Sequence, residues 1–316
     1  MEQSALEQLK LFTNVVADTG DLGSIKKFKP MDATTNPSLI LKAAQQPEYE
    51  NFIEEARGVQ RARGMEAALN FLIVMFGLEI LKIIDGRVST EVDARLSFDA
   101  NGTVEKAKNV ISLYESNGIS RDRVLIKIAA TWEGINAAKL LEKEGIHCNL
   151  TLLFSKTQAI ASAEAEVTLI SPFVGRILDW HRSKTGFDYA PEDDPGVNSV
   201  VEIFNYYKHF GHKTEIMGAS FRNVGEIIAL AGCDLLTISP ILLDQLNVSG
   251  KKVSKRLSAD SSRNTPMERL FYDEKSFRYD LNQNAMATEK LAEGIRNFSA
   301  DTEAMENIIG QGYSKR

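Results

Sequence analysis

The sequence predicts an α/β fold: a single (β/α)8 barrel (TIM barrel) with extra helices and a C-terminal helix docked on it. Three observations carry this. Short apolar runs alternate with helix-type segments along the 316 residues, which implies a parallel sheet that either closes or is covered on both faces. The first turn reads Asp18-Thr19-Gly20-Asp21, and neither GxGxxG nor GxxxxGK occurs anywhere. An open doubly wound sheet, the alternative, usually carries such a phosphate-binding turn after its first strand. No Pro/Ser-rich linker divides the chain, so residues 1–316 read as one barrel domain with insertions, a size that such barrels reach as one unit.

Eight strands are expected at 14–17, 32–35, 88–92, 124–129, 147–153, 167–172, 215–219 and 234–238. Each is a short apolar run leading into residues of turn or cap type. The segments between them carry helix signals. Thr131 opens a helix through Trp132, Ile135 and Ala138 that closes at Gly145. Ser155 with Gln158 makes a capping-box pattern. Val224, Ile227, Ile228 and Ala231 form an apolar face ended by Gly232. Ser239 followed by Pro240 reads as an N-cap and first helical residue. Insertions are expected at 37–87, as several helices, and at 181–213, as a loop plus a helix. The polar stretch 249–266 reads as a mobile surface loop, its KKVSKR run solvated rather than anion-binding. Leu291, Ile295, Phe298 and Met305 share one helical face, which docks the last helix on the barrel.

Composition narrows the class without naming a function. With 43% hydrophobic residues, 25% charged and a formal net charge of -6, the chain is globular rather than disordered. It carries no basic footprint for nucleic acid. The most apolar stretch, 71–78, is stopped by Glu79 and Lys82, far short of a membrane span. The first residues are charged and amphipathic, without the apolar core of a signal peptide. Cys148 and Cys233 sit in apolar surroundings and read as structural free thiols, which fits a cytoplasmic protein. His147, His181, His209 and His212 show no metal-ligand spacing, and His147 reads as a packed core residue.

In a closed barrel, chemistry collects at the C-terminal strand ends, where residues two apart face the mouth together. The fourth run, Val124-Leu125-Ile126-Lys127-Ile128-Ala129, places a lysine among aliphatics. An ammonium is costly to bury, and the free amine attacks carbonyls to form a Schiff base. The alternatives are a lysine reaching the rim or one paired with a carboxylate, such as Glu91. Glu91 on the third run could instead pass protons during imine formation, and Asp18 on the first is a second candidate carboxylate. Thr34, Asn36, Asn149 and Thr151 offer uncharged groups for sugar hydroxyls, with turn or cap use as the alternative. Ser171 and Arg176 follow the sixth run, and Ser220 and Arg222 the seventh. Two arginines near helix starts would suit a phosphate, with surface salt-bridging as the alternative for either one singly.

Together these segments strongly resemble transaldolase, the Schiff-base enzyme of the non-oxidative pentose phosphate pathway. The matching text is VVADTGD (15–21), DATTNPSLI (32–40), GRVSTEVDARLSFD (86–99), DRVLIKIAATWEGI (122–135), NLTLLFS (149–155), ISPFVGRILDW (170–180), MGASFRN (217–223), DLLTISP (234–240) and MATEKLAEGIRNF (286–298). The resemblance implies that Lys127 is the Schiff-base lysine. Glu91 and Thr151 would then position a catalytic water, and Asp18 would be the acid/base for carbon–carbon cleavage. Thr34, Asn36, Asn149, Ser171 and Phe173 would line the sugar site, while Arg176, Ser220 and Arg222 would bind phosphate. It further implies sugar-phosphate substrates, a homodimer, and neither metal nor organic cofactor. Ala130 and His147 stand where some members have serine and asparagine, which bears on tuning rather than on the reaction. A related subgroup, the fructose 6-phosphate aldolases, typically has glutamine in place of Glu91 and tyrosine in place of Phe173.

Overall fold

The computed structural model describes residues 3–263 and 266–311. Eight strands close into one parallel barrel in chain order. They are β1 (Asn14–Asp18), β2 (Asp32–Thr34), β3 (Val88–Glu91), β4 (Val124–Ala129), β5 (Cys148–Leu153), β6 (Leu169–Pro172), β7 (Glu215–Gly218) and β8 (Leu235–Ile238). Closure is made by β1 against β8, with Val16 opposite Thr237. The expected strands are all present, within two residues at each end.

Two late strand starts share one cause. The Glu142 carboxylate accepts from the amides of Cys148 (2.9 Å) and Thr168 (2.6 Å), so a side chain binds where a neighbouring strand would. His147 falls outside β5 as a result. It is not the packed core histidine expected: its side chain is 37% exposed, and its ring bonds Thr168 Oγ1 at 2.9 Å.

The cap signals hold. Thr131 caps Trp132–Lys143 through Gly134 N, and Ser155 with Gln158 makes a reciprocal box. Ser239 stands at the N-cap of Pro240–Val248, without a side-chain bond. The Val224–Ala229 helix stops two residues early: the amides of Leu230 and Ala231 turn to the Ile227 and Ile228 carbonyls, and the Ala231 carbonyl accepts from Arg256 N (2.7 Å) and Leu257 N (3.0 Å). Those bonds also correct the reading of 249–266. Val253 and Leu257 are buried, Val253 N bonds Gln8 Oε1, and Ala259–Arg263 is a short helix. The apolar residues spaced through the basic run dock it; residues 264 and 265 lie outside the described ones.

The 37–87 insertion forms helices Pro37–Ala44, Glu50–Arg63 and Met65–Leu81, which pack on one another around Phe52, Leu72 and Phe76 and meet Met305 of the last helix. The 181–213 insertion supplies helix Pro195–Phe210. The last helix, Ala285–Gly310, buries Leu291, Ile295, Phe298 and Met305 as expected. Among the described residues, no helix is long and apolar enough to cross a membrane.

β5 departs from regular geometry near its end. Its register with β6 shifts between Leu150 and Leu153, and buried Leu152 takes φ +51°, a conformation that costs a non-glycine residue about 1–2 kcal/mol. Gln158 braces the distortion. Its Nε2 donates to the carbonyls of Ala130 (2.9 Å) and Leu152 (3.0 Å), and its Oε1 accepts from Phe154 N and Ser155 N. Gln158→Leu strips four buried backbone groups of their partner and is expected to cost about 2–4 kcal/mol. Urea unfolding monitored by circular dichroism measures this, and a loss below about 1 kcal/mol would contradict the bracing role.

Candidate active site

Side chains inside the barrel fall into two storeys. The lower is an apolar plug of Val16, Leu125, Leu169, Met217 and Leu235, each at most 2% exposed. A step of two residues along each strand keeps the same face. That step leads from Val16 to Asp18, from Leu125 to Lys127, from Leu169 to Ser171 and from Leu235 to Thr237. The period-two pattern therefore sets a polar layer on a dry floor.

Lys127 is the centre of that layer. It sits opposite Glu91 on β3 and Asn149 on β5 in the strand register. Its Nζ lies 3.0 Å from Glu91 Oε2 and donates to the Thr35 carbonyl at 3.1 Å. Both side chains are buried, so the carboxylate pairing considered for Lys127 is what the fold builds. Burial pushes the Glu91 carboxyl up from its ordinary value, against the opposing pull of Lys127 and then Arg176. A carboxylate held up in this way can take a proton from the neighbouring ammonium, which frees the amine for attack.

Asp18, partly exposed at the end of β1, is also held up by burial, with Lys127 and the Thr34 hydroxyl opposing. Thr34 Oγ1 lies 3.1 Å from Asp18 Oδ1 and 2.9 Å from Thr237 Oγ1. Asn149 is locked from both ends: its Nδ2 donates to Ser89 Oγ (3.0 Å), and its Oδ1 accepts from Ser171 Oγ (2.6 Å). Thr151 Oγ1 is buried and has no hydrogen-bond partner among the described residues. Asn36 does cap work, its Oδ1 accepting from Leu39 N at 2.9 Å, which leaves its Nδ2 as the group available to a ligand.

The two arginines converge at the other end. Burial, and then neighbouring Arg222, push the Arg176 guanidinium down from its ordinary value. Arg176 lies over the rings of Phe173 (4.9 Å) and Phe298 (5.6 Å), so Phe173 serves as its platform and the last helix supplies the second wall. Arg222 is exposed and clamped by Asp179, with Nη2–Oδ2 at 2.6 Å. Gly175 N bonds the Ser220 carbonyl at 2.8 Å. A Cβ on Gly175 would stand 2.5 Å from that oxygen, so glycine lets the two arginine-bearing segments touch. Ser220 takes φ +62°, and its loop is tied down where Arg222 N donates to Glu226 Oε2 at 2.7 Å.

Ser89, Thr237, Asp179 and Glu226 escaped the sequence reading. The period-two step that selects Lys127 also selects Thr237 and, two before Glu91, Ser89. Nothing in the sequence marks Asp179 as the partner of Arg222, because that contact joins separate segments. Both cysteines are buried and free, and burial pushes Cys233 up to about 12, as befits an inert thiol.

A family model described as Transaldolase/Fructose-6-phosphate aldolase matches residues 15–309. The chain belongs to this family. A transaldolase of Saccharomyces cerevisiae is 59% identical over 316 residues, covering 97% of this chain and 94% of the relative. One from Rattus norvegicus is 56% identical, with the same coverage of both chains. One from Methylococcus capsulatus is 55% identical, over 98% of this chain and 97% of the relative. This transaldolase-family chain therefore matches its relatives along nearly their whole length, barrel and insertions together.

Glu226 yields a pH prediction. Burial raises its carboxyl to about 7, from an ordinary value of 4.5. Between those values the unfolded chain has lost the proton that the folded chain keeps. Stability is therefore greatest on the acid side and falls as pH rises from about 4.5 to 7, by on the order of 2 kcal/mol from this group. Glu226→Gln should remove that part of the slope. Urea midpoints of both proteins at pH 5 and pH 8 measure it, and parallel slopes would contradict the assignment.

Proposed function

We propose that this chain is a transaldolase acting through a Schiff base on Lys127. It transfers a dihydroxyacetone unit reversibly from sedoheptulose 7-phosphate to glyceraldehyde 3-phosphate, giving erythrose 4-phosphate and fructose 6-phosphate. The observation that carries the reading is the buried Lys127–Glu91 pair, 3.0 Å apart, with Asp18 in the same electrostatic neighbourhood.

The ammonium of Lys127 gives a proton to Glu91, and the free amine attacks C2 of the ketose. Glu91 returns the proton to the departing hydroxyl, with Thr151 holding the water that forms. The resulting iminium is an electron sink, the task that a metal or pyridoxal performs elsewhere, so no such cofactor is required. Asp18 takes the proton of the C4 hydroxyl, and the C3–C4 bond breaks. Its electrons pass into the imine as an enamine, and the aldose phosphate leaves. A second aldehyde then adds, water attacks the new iminium, and Lys127 is released. Thr34, Asn149, Ser171 and the free amide of Asn36 hold the sugar hydroxyls. Arg176, Ser220 and Arg222 hold the phosphate, with Phe173 beneath Arg176. The same reading assigns the enzyme to the pentose phosphate pathway in the cytoplasm, as one barrel domain and as a homodimer.

The aldolase side of the family is the closest rival. Glu91 and Phe173 favour transfer, since that subgroup carries glutamine and tyrosine there. A coupled assay of transfer to erythrose 4-phosphate, run beside a measurement of free dihydroxyacetone, decides between them. Transfer should dominate, fall at least about 10³-fold in Lys127→Ala, and fall about 10²–10³-fold in Glu91→Gln. Dominant release of free dihydroxyacetone would make it an aldolase. Saturable binding without turnover would make it a sugar-phosphate binding barrel.

A further inference from the structure

A cavity beside Glu91 is lined by Asn36 too, but by none of Lys127, Asp18, Asn149, Thr151 or the two arginines. It lies between the ends of β2 and β3 and the helices Pro37–Ala44, Met65–Leu81, Ala100–Ser116 and Ala285–Gly310. Its polar lining includes Asn36, Asn70, Glu91, Lys106 and Thr302, and its volume is about 30 Å³. One water needs about 10–15 Å³ by this measure and two to four polar partners, so the chamber has room for about two.

One of its walls carries a buried polar atom without a partner, and another a buried lysine with only a long, exposed one. Asn70 is 6% exposed, and its Oδ1 has no hydrogen-bond partner among the described residues. An unpaired buried acceptor of this kind costs about 1–3 kcal/mol. Lys106 is 5% exposed, and its ion pair is a long one, 3.3 Å to Glu66, whose side chain is 75% exposed. Buried Asn70 and buried Lys106 therefore line one small chamber together with Glu91, the residue that handles water in the proposed mechanism.

We propose that this chamber is a water site serving Glu91, with Asn70 and Lys106 as the residues that position its water. The proposal rests on the Schiff-base reading above. Imine formation breaks the C2–O bond and expels that oxygen as water, with the proton coming from Glu91. Hydrolysis adds one water to the iminium carbon and returns a proton to Glu91. With a sugar phosphate held between Lys127 and the arginines, a chamber beside Glu91 would keep a water at hand without crossing the barrel mouth.

Enzyme-dependent uptake of ¹⁸O at C2 of fructose 6-phosphate, measured in ¹⁸O-water by mass spectrometry, tests this, with Lys127→Ala giving the background. Asn70→Leu, which replaces the amide with an apolar group of similar size, should slow uptake about tenfold at unchanged KM. Asn70→Ser, which keeps a polar group and leaves room for water, should stay within about twofold of the parent. A merely structural asparagine would lose as much with serine as with leucine. Lys106→Met carries the tenfold expectation from another wall, so the result does not hang on the folding of one variant. Wild-type uptake in Asn70→Leu and Lys106→Met, or equal losses in Asn70→Leu and Asn70→Ser, would overturn the chamber and leave the Schiff base standing. No uptake by the parent protein above background would overturn both.

Discussion

The structure depends on holding one ion pair, Lys127 with Glu91, inside a barrel. Two charges taken out of water are stable only when each finds the other and their remaining polar groups are met. Parallel register supplies the first condition, since β3 and β4 set the two residues side by side. The Thr35 carbonyl supplies part of the second. The apolar plug beneath supplies a dry floor, so the pair acts in a low dielectric where a proton moves easily between partners. A looser sheet would let water in, and the lysine would remain an ordinary surface cation.

The same constraint explains what is built around the pair. A second positive charge, Arg176, acts on Glu91 and Asp18 as well, and the rings of Phe173 and Phe298 take its face. Arg222 is charge-compensated by Asp179, while the Arg176 guanidinium has no carboxylate within ion-pair distance among the described residues. That asymmetry leaves Arg176 free for an anion. The C-terminal helix is thus part of the site: Phe298 links its docking to the position of Arg176. The mildly acidic chain carries an uncompensated positive charge at Arg176, without a basic surface.

Much of this was legible in the sequence because strands and caps are local. Alternation at period two marks the polar layer from Asp18 round to Ser171, and the Ser155–Gln158 box is written within four residues. Long-range contacts were not legible. The late start of β6 depends on Glu142, on the helix before β5, reaching Thr168 26 residues further along, and the same carboxylate draws His147 out of the core. The docking of 249–266 depends on carbonyls near Gly232 that no local pattern reveals. Thr237 was legible but passed over, since its strand is otherwise apolar. The strain at Leu152 is visible only in three dimensions, one residue beyond Thr151.

Borohydride reduction in the presence of fructose 6-phosphate, followed by peptide mapping, tests the central role of the pair most directly. The predicted result is one reduced three-carbon adduct, on the peptide containing Lys127, absent in Lys127→Ala. An adduct on another lysine, or none under conditions where the protein turns over, would contradict it.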